Sequence, residues 1–411
     1  QLDLTLLRAM VADLEPLLRD CAEAAILEVF AQQWRFSHDK LREHLLATLG
    51  AVERQQLHHE VALALGRAYP DPTTQAAARA YHYEQAGIID KAAVCTVFAG
   101  QQAARRGSLA EAAALLAKAA ALQQLTATPR LAQVQTRRLL VETLFALGKM
   151  DACLEAIGEA LTIAGHPMPR EPVRLGVGLT QQVFTQALHR LCPWAVDAPA
   201  DADAVAMLKE VVALHKVSLE IYVWQMKPLP LAYVVLDGLN VAERTGDPAL
   251  CRSSYAGISY MLSVTPLAAL GDYYLARCNP LDGTALPPAA QLYSLRGATA
   301  IYLHQGDSVR HRACMDLAQQ LAQQLGDVNA ELFLLSSEIL MTRLKGNFED
   351  ARRKAEQLVR ASQSCGNMFF LGTGYGQLGT ALLHTGDLFA AARHLDSGLA
   401  IAERERHAHA V

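Results

Sequence analysis

The side chains with the most obvious chemical potential stand near the N-terminus, in the stretch RFSHDKLREHLL over residues 35 to 46, where His38 precedes Asp39. A His–Asp pair moves a proton when the carboxylate orients the imidazole and a nucleophile waits on its far side. Neighbours at a helix start point in different directions, however, and no nucleophile with a recognisable context accompanies them. The pair suits a helix N-terminus better, with Ser37 or Asp39 accepting from the free N–H groups of a helix over 40–49 and His38 packing against what precedes it. The other histidine groups, His58 with His59 and His407 with His409, would need to share a face to hold a metal. Adjacent and alternate positions on a helix do not share one, and no HExxH or cysteine companion completes a site. These histidines are expected to be solvated or half-buried, and no metal is expected.

Aromatic residues are only 6% of the chain, which makes their concentration in one stretch informative: Tyr222, Trp224, Tyr233, Tyr255, Tyr260, Tyr273, Tyr274, Tyr293 and Tyr302. Rings with a polar tip favour recognition surfaces, and they also fill helix-pair cores where small residues predominate. Both readings stand at this point. If the stretch forms a groove for a protein or small molecule, its candidate residues are Tyr222, Trp224, Tyr255, Tyr260 and Tyr293.

These side chains need elements to hold them. The 411 residues suffice for several domains or one long repeat array, and 52% apolar content excludes disorder. A formal charge of −4, with 37 scattered Lys and Arg, leaves no basic footprint for nucleic acid or anionic lipid. The eight cysteines are far apart and form no C-x-x-C, so they read as reduced core thiols of a cytoplasmic protein. No uncharged apolar run reaches the roughly 18 residues of a membrane span, and no charged-then-apolar leader opens the chain. The first residue is Gln1 rather than methionine, which suggests that the native start lies further upstream. No G-x-x-x-x-G-K-[ST] occurs, so this chain by itself is expected to bind no nucleotide cofactor and to be no ATPase.

From residue 67 onward the sequence reads as helices, with apolar residues three and four apart. Gly306-Asp307, Gly326-Asp327, Gly346-Asn347, Gly366-Asn367 and Gly386-Asp387 recur every 20 residues. Glycine ends a helix in the left-handed region, and Asp or Asn supplies the acceptor that starts the next. Each interval is therefore one helix and a turn, and such hairpins stack because none buries its apolar face alone. The last hairpin resembles a tetratricopeptide repeat, with Tyr375, Leu378, Gly379, Leu382, Gly386, Ala391, Leu395 and Gly398 at that family's spacings. The fold class is all-α: a tetratricopeptide-like α-solenoid preceded by a small winged-helix domain with a β-hairpin.

The first 66 residues differ: helical LDLTLLRAMVADLEPLLRDCAEA is followed by two β-prone runs, Ile26 to Phe30 and Trp34 to Phe36, around Ala31–Gln33. Helix, helix, hairpin, helix is the order of a winged helix. The prolines of GHPMPREPVRLG and CPWAVDAPADADA interrupt the array, and CNPLDGTALPPAA separates two later helices. The expected organisation is a winged-helix-like part with connecting helix over 1–66, a first repeat subarray over 67–164, a Pro-rich crossover over 165–208 and a second subarray over 209–411.

Taken in order, these segments resemble the C-terminal part of bacterial multidomain signalling ATPases of the STAND class, in which a P-loop core is followed by a winged helix and helical repeats. RFSHDKLREHLL is similar to that class's wing-to-helix junction, including the methionine-histidine-aspartate motif of plant resistance proteins, with Ser37 where methionine is usual. GHPMPR, ALHRLCPW and LEIYVWQMKPLPLAYVVLDGLNVAERTGDPAL resemble the repeat region of regulators coupled to an adenylyl/guanylyl cyclase or a protein kinase. The resemblance implies that His38 contacts the β-phosphate of ADP held by an ATPase core of the same protein, a role that an imidazole beside a helix N-terminus suits. It implies a non-catalytic region in which the winged helix reports nucleotide state and the repeats bind a ligand. Two other readings stay open. One is a winged-helix transcription regulator with inducer-sensing repeats, which Asp13, Glu15 and Asp20 disfavour on a DNA-facing helix. The other is a plain scaffold for protein–protein interaction.

Overall fold

Asp3 begins the first helix, α1 (Leu4–Met10), by accepting from the N–H groups of Thr5 at 2.9 Å and Leu6 at 3.1 Å. Helix α2 (Leu14–Glu23) turns Leu14 and Leu18 onto Leu27 of strand β1 (Leu27–Phe30). Strand β2 (Gln33–Phe36) pairs antiparallel with β1, Leu27 opposite Phe36 and Phe30 opposite Gln33. Ala31 and Gln32 both have positive φ, 50° and 64°, the pattern of a type I′ turn whose twist matches that of its strands. The loop is thus two residues long rather than the three expected, and Gln33 belongs to the ladder. Beside it the Leu2 N–H donates to the Trp34 carbonyl at 2.8 Å, and Trp34 and Phe36 pack on the same small core. Helix α3 (Asp39–Thr48) completes the order helix, helix, hairpin, helix.

Helix α4 (Ala51–Ala68) returns to α1, where the Arg67 guanidinium donates to the Ala9 carbonyl at 3.0 Å and the Tyr69 hydroxyl to Asp3 at 2.7 Å. The Tyr69 bond holds the Asp3 carboxyl below its usual range. Helices α5 (Ala76–Gln85), α6 (Ile89–Arg105) and α7 (Leu109–Gln124) follow, each packed on the one before.

The computed structural model describes residues 2–405 apart from 193, 195, 197, 198, 200, 264, 279, 280 and 282–285. It comprises two compact units, Gln1–Leu139 and Leu140–Val411, and helix α8 (Arg130–Ala146) carries the chain from one to the other. The second unit continues with α9 (Met150–Ala164), α10 (Pro172–Leu191), α11 (Ala202–Trp224), α12 (Pro228–Thr245) and α13 (Pro248–Ser263). It ends with α14 (Ala268–Cys278), α15 (Pro288–His304), α16 (Ser308–Leu325), α17 (Val328–Leu344), α18 (Phe348–Cys365), α19 (Met368–Thr385) and α20 (Leu388–Glu405). Among the described residues the hairpin β1–β2 is the only sheet.

Hairpin neighbours pack on each other, and the alternate helices α11, α13, α15, α17 and α19 also pack in series, so one layer of the stack is made of them. This is the solenoid arrangement expected. The punctuation behaves as its chemistry requires. Gly306, Gly326, Gly346, Gly366 and Gly386 all have φ between 62° and 93°. The side chains of Asp307, Asp327, Asn347, Asn367 and Asp387 accept from backbone N–H groups three residues on, at 2.9 to 3.3 Å. At the tetratricopeptide-like end, a Cβ on Gly379 would lie 2.6 Å from Leu395 Cγ, so α19 and α20 approach to a distance that only a residue without a side chain allows.

The stretch 165–208 is not simply a proline-broken crossover, because α10 occupies much of it. Pro172 stands where a helix start has no use for an N–H, and α10 packs on α12. Parts of the two other proline-rich loops, and His407 with His409, lie outside the described residues. The eight cysteines form no disulfide, and burial pushes the thiols of Cys153 and Cys314 up to about 12, as befits packing groups. Among the described residues no helix is long and apolar enough to cross a membrane.

Candidate functional site

His38 is exposed at the N-cap of α3 in extended backbone, φ −140° and ψ 134°, and its side chain makes no cap bond. Neither Ser37 nor Asp39 caps the helix, contrary to expectation. The left-handed Ala25, φ 53°, leaves carbonyls at the base of the hairpin, and the Ser37 hydroxyl turns back to those of Ala25 and Ile26. Asp39 lies within the first turn of α3. That helix buries none of its residues, and Leu41, Leu45 and Leu46 are exposed along it.

His58 and His59 part company. His58 Nδ1 lies 2.9 Å from His82 Nδ1, with burial holding both imidazoles below the usual histidine range, whereas His59 faces Tyr83. Among the described residues no three His, Cys, Asp or Glu are grouped to hold a metal.

The second unit contains a groove whose wall comes from the layer of alternate helices. Trp224 of α11, Tyr260 of α13, Ala300 of α15, Phe333 of α17 and Phe370 of α19 converge on a cavity of about 410 Å³. A narrower extension of about 70 Å³, lined by Tyr293 and Arg296, adjoins it through Trp224, Tyr260, Ala300 and Phe333. On α17 the lining residues Phe333, Ser336, Ser337, Leu340 and Arg343 recur at three- and four-residue steps, the stripe that one helix face presents. On α19 the stripe is Phe370, Thr373, Gln377 and Thr380.

Of the five aromatics proposed from sequence, Trp224, Tyr260 and Tyr293 meet here. Tyr222 faces a different cavity of about 910 Å³ with Met168 and Arg170, its hydroxyl 3.7 Å from the Met168 sulfur. Tyr255 turns to the Glu243 carboxylate at 3.1 Å and packs near Tyr274. Tyr233, Tyr274 and Tyr302 are core residues. The aromatic stretch therefore divides between core residues and residues that line a cavity.

Two ring stacks hold the Trp224 wall of the groove. The Trp224 indole lies between Phe145 of α8 and Phe369 of α19, with centroids 5.1 Å and 3.9 Å away and planes within 13° of parallel. Nearby, the Asn367 amide donates to the Ala146 carbonyl at 3.1 Å, joining residues 221 positions apart. Phe145, Phe333, Phe369 and Phe370 escaped the sequence reading, which favoured rings with polar tips. The signal that would have found Phe333 and Phe370 is the stripe of small and polar residues that follows each at helical spacing.

Charged groups are also built into the helices of the second unit. Burial works against the Arg296 cation, and the Glu220 carboxylate at 2.9 Å more than offsets this. His215 Nε2 meets Asp237 at 2.8 Å, and His189 Nδ1 meets Glu243 at 2.7 Å. Among the described residues no carboxylate contacts Lys216: its ammonium donates to Ser253 Oγ at 2.6 Å and lies 5.0 Å from the Tyr293 ring centroid. Burial pushes it down to about 8, with Asp247 opposing. Below pH 8 the folded and unfolded chains both hold this proton, and the folded state bears the full cost of a desolvated charge. As pH rises above 8 the folded state releases the proton first, so stability increases toward the unfolded pKa near 10.5, by at most about 1.4 kcal/mol per pH unit. Lys216→Met is expected to abolish this gain. The melting-temperature difference between wild type and variant, followed from pH 7 to 9.5, should shift in favour of wild type with rising pH. A constant difference would place the ammonium in water.

No family model matches the chain, and no curated protein matches it.

Proposed function

We propose that this chain is a non-catalytic, ligand-sensing region of a cytoplasmic signal-transducing ATPase. In this reading the second unit receives a small molecule in its groove, and the winged-helix-like part docks on a nucleotide-binding core of the same protein. The observation that carries the proposal is the convergence of Trp224, Tyr260, Phe333 and Phe370, from four different helices of one stacked layer, on a cavity of about 410 Å³. That volume lies within the roughly 300–1,000 Å³ of small-molecule sites, and the mixture of aromatic walls with a few polar groups is their usual make-up. Because the walls belong to successive repeats, a ligand that prefers one spacing of the stack shifts its population by the difference in affinity.

The nucleotide half of the reading rests on the resemblance. It is supported by His38 standing exposed at the start of α3, a helix whose Leu41, Leu45 and Leu46 are uncovered. In this arrangement His38 meets the β-phosphate of ADP in the core, and the leucine face covers the contact. Eight cysteines without a disulfide suit a reducing compartment.

A thermal-stability screen against a small-molecule library tests the sensor role. A ligand at 100 times its Kd should stabilise the wild type by about 2.7 kcal/mol. Ala300→Phe, which places a ring where α15 lines both cavities, should abolish that shift while melting cooperatively on its own. A shift that persists in Ala300→Phe, or a groove that responds only to peptides, would overturn the small-molecule reading.

A further inference from the structure

The groove has two chemically different ends. Phe333 and Arg343 lie ten residues apart on one face of α17, about 15 Å at 1.5 Å per residue. The Gln377 amide donates to Ser336 Oγ at 3.0 Å and to the Ser336 carbonyl at 3.2 Å, which sets the register of α19 against α17. Phe370 therefore falls toward the Phe333 end with Trp224, and Thr380 toward the Arg343 end. One end is aromatic, with the Arg296 guanidinium 4.4 Å over the Phe333 ring and paired with Glu220, and the other carries a guanidinium without a carboxylate.

That guanidinium faces the groove without a counter-charge. Among the described residues no hydrogen bond or ion pair engages the Arg343 side chain, and its buried Nε has no partner. Burial alone acts on it and lowers its pKa, whereas Arg296 and Arg352 have carboxylates that hold theirs up. Thr373 Oγ1 and Gln377 Oε1, also on the groove, are buried without partners as well. A half-buried cation without a counter-charge favours an anionic oxygen, which a ligand would supply in a forked, charge-assisted contact.

We infer that the groove takes an amphiphilic organic carboxylate, its apolar body lying along Leu340 toward Phe333, Phe370 and Trp224 and its carboxylate on Arg343. This assignment rests on the small-molecule reading above and adds the ligand's chemistry to it. An apolar body of about 15 Å corresponds to an extended medium-length chain, and the Arg343 fork rejects a neutral head because nothing else there compensates its charge.

Calorimetric titration with decanoate and with decan-1-ol separates the two claims. Decanoate should bind the wild type at least about tenfold more tightly than the alcohol, the size of one charge-assisted contact. Arg343→Gln should remove that preference, weakening decanoate and tightening decanol, Arg343→Lys should restore part of it, and Ala300→Phe should abolish binding of both. Equal affinities for acid and alcohol in the wild type, or a preference that survives in Arg343→Gln, would overturn the carboxylate assignment and leave the groove as an apolar site. Binding of neither compound would overturn the assignment too, while a library ligand lost in Ala300→Phe would show that the groove reading survives it.

Discussion

Trp224→Ala is expected to destabilise the second unit by about 3–5 kcal/mol, the range for removing a large buried aromatic side chain. The indole is only 9% exposed and contacts three rings, being stacked on Phe145 and Phe369 and edge-on to Phe370 at 5.7 Å. Each aromatic pair is worth roughly 0.5–1.5 kcal/mol beyond the area it buries, so the loss should fall at the upper part of the range. These rings belong to α8, α11 and α19, and little of the surroundings can collapse into the space without moving a whole helix. In thermal unfolding the change corresponds to a drop on the order of 10 °C. Trp194, 82% exposed, provides the control, and its replacement by alanine should leave the melt unaltered. A loss at Trp224 below about 1 kcal/mol would mean that the three helices do not meet around it.

The second large effect is expected at Gly148, between α8 and α9. Its φ is 73°, and an added Cβ would stand 2.9 Å from the Phe369 backbone nitrogen and 3.1 Å from that of Met368. Gly148→Ala therefore combines left-handed strain of about 1–2 kcal/mol with overpacking of about 1–3 kcal/mol against backbone that cannot swing aside. Gly386 separates the two contributions: its φ is 93°, yet nothing lies within 4 Å of the Cβ position. Gly386→Val should cost on the order of 1 kcal/mol or more from conformation alone. Chemical denaturation of both variants should rank Gly148→Ala as the more damaging. Equal losses would show that the α8–α9 turn does not touch the start of α19.

What the sequence revealed and what it concealed divide along the range of the interactions. The Gly-Asp rhythm was legible because cap and turn chemistry is settled within four residues, and Asp307 accepting from Arg310 N is wholly local. The hairpin was legible from β-branched and aromatic runs, but its turn was not, since nothing marks Ala31 and Gln32 as left-handed residues. The same blindness at Ala25 misdirected Ser37, whose hydroxyl was expected at a helix N-terminus and satisfies the hairpin instead. The groove depends on which faces of five stacked helices coincide, and periodicity within one helix cannot show that. Trp224, Tyr260 and Tyr293 were found by ring chemistry, whereas Arg343 looks in sequence like any basic residue suiting the last turn of a helix. Its place on the groove without a counter-charge exists only in three dimensions.

The central claim is that this groove is a ligand site, and a crystal structure of the chain with 10-bromodecanoate tests it most directly. The account predicts one anomalous bromine peak among Trp224, Phe333 and Phe370, with the carboxylate within hydrogen-bond distance of the Arg343 guanidinium. Bromine bound elsewhere on the second unit, with the groove left empty at saturating ligand, would contradict it.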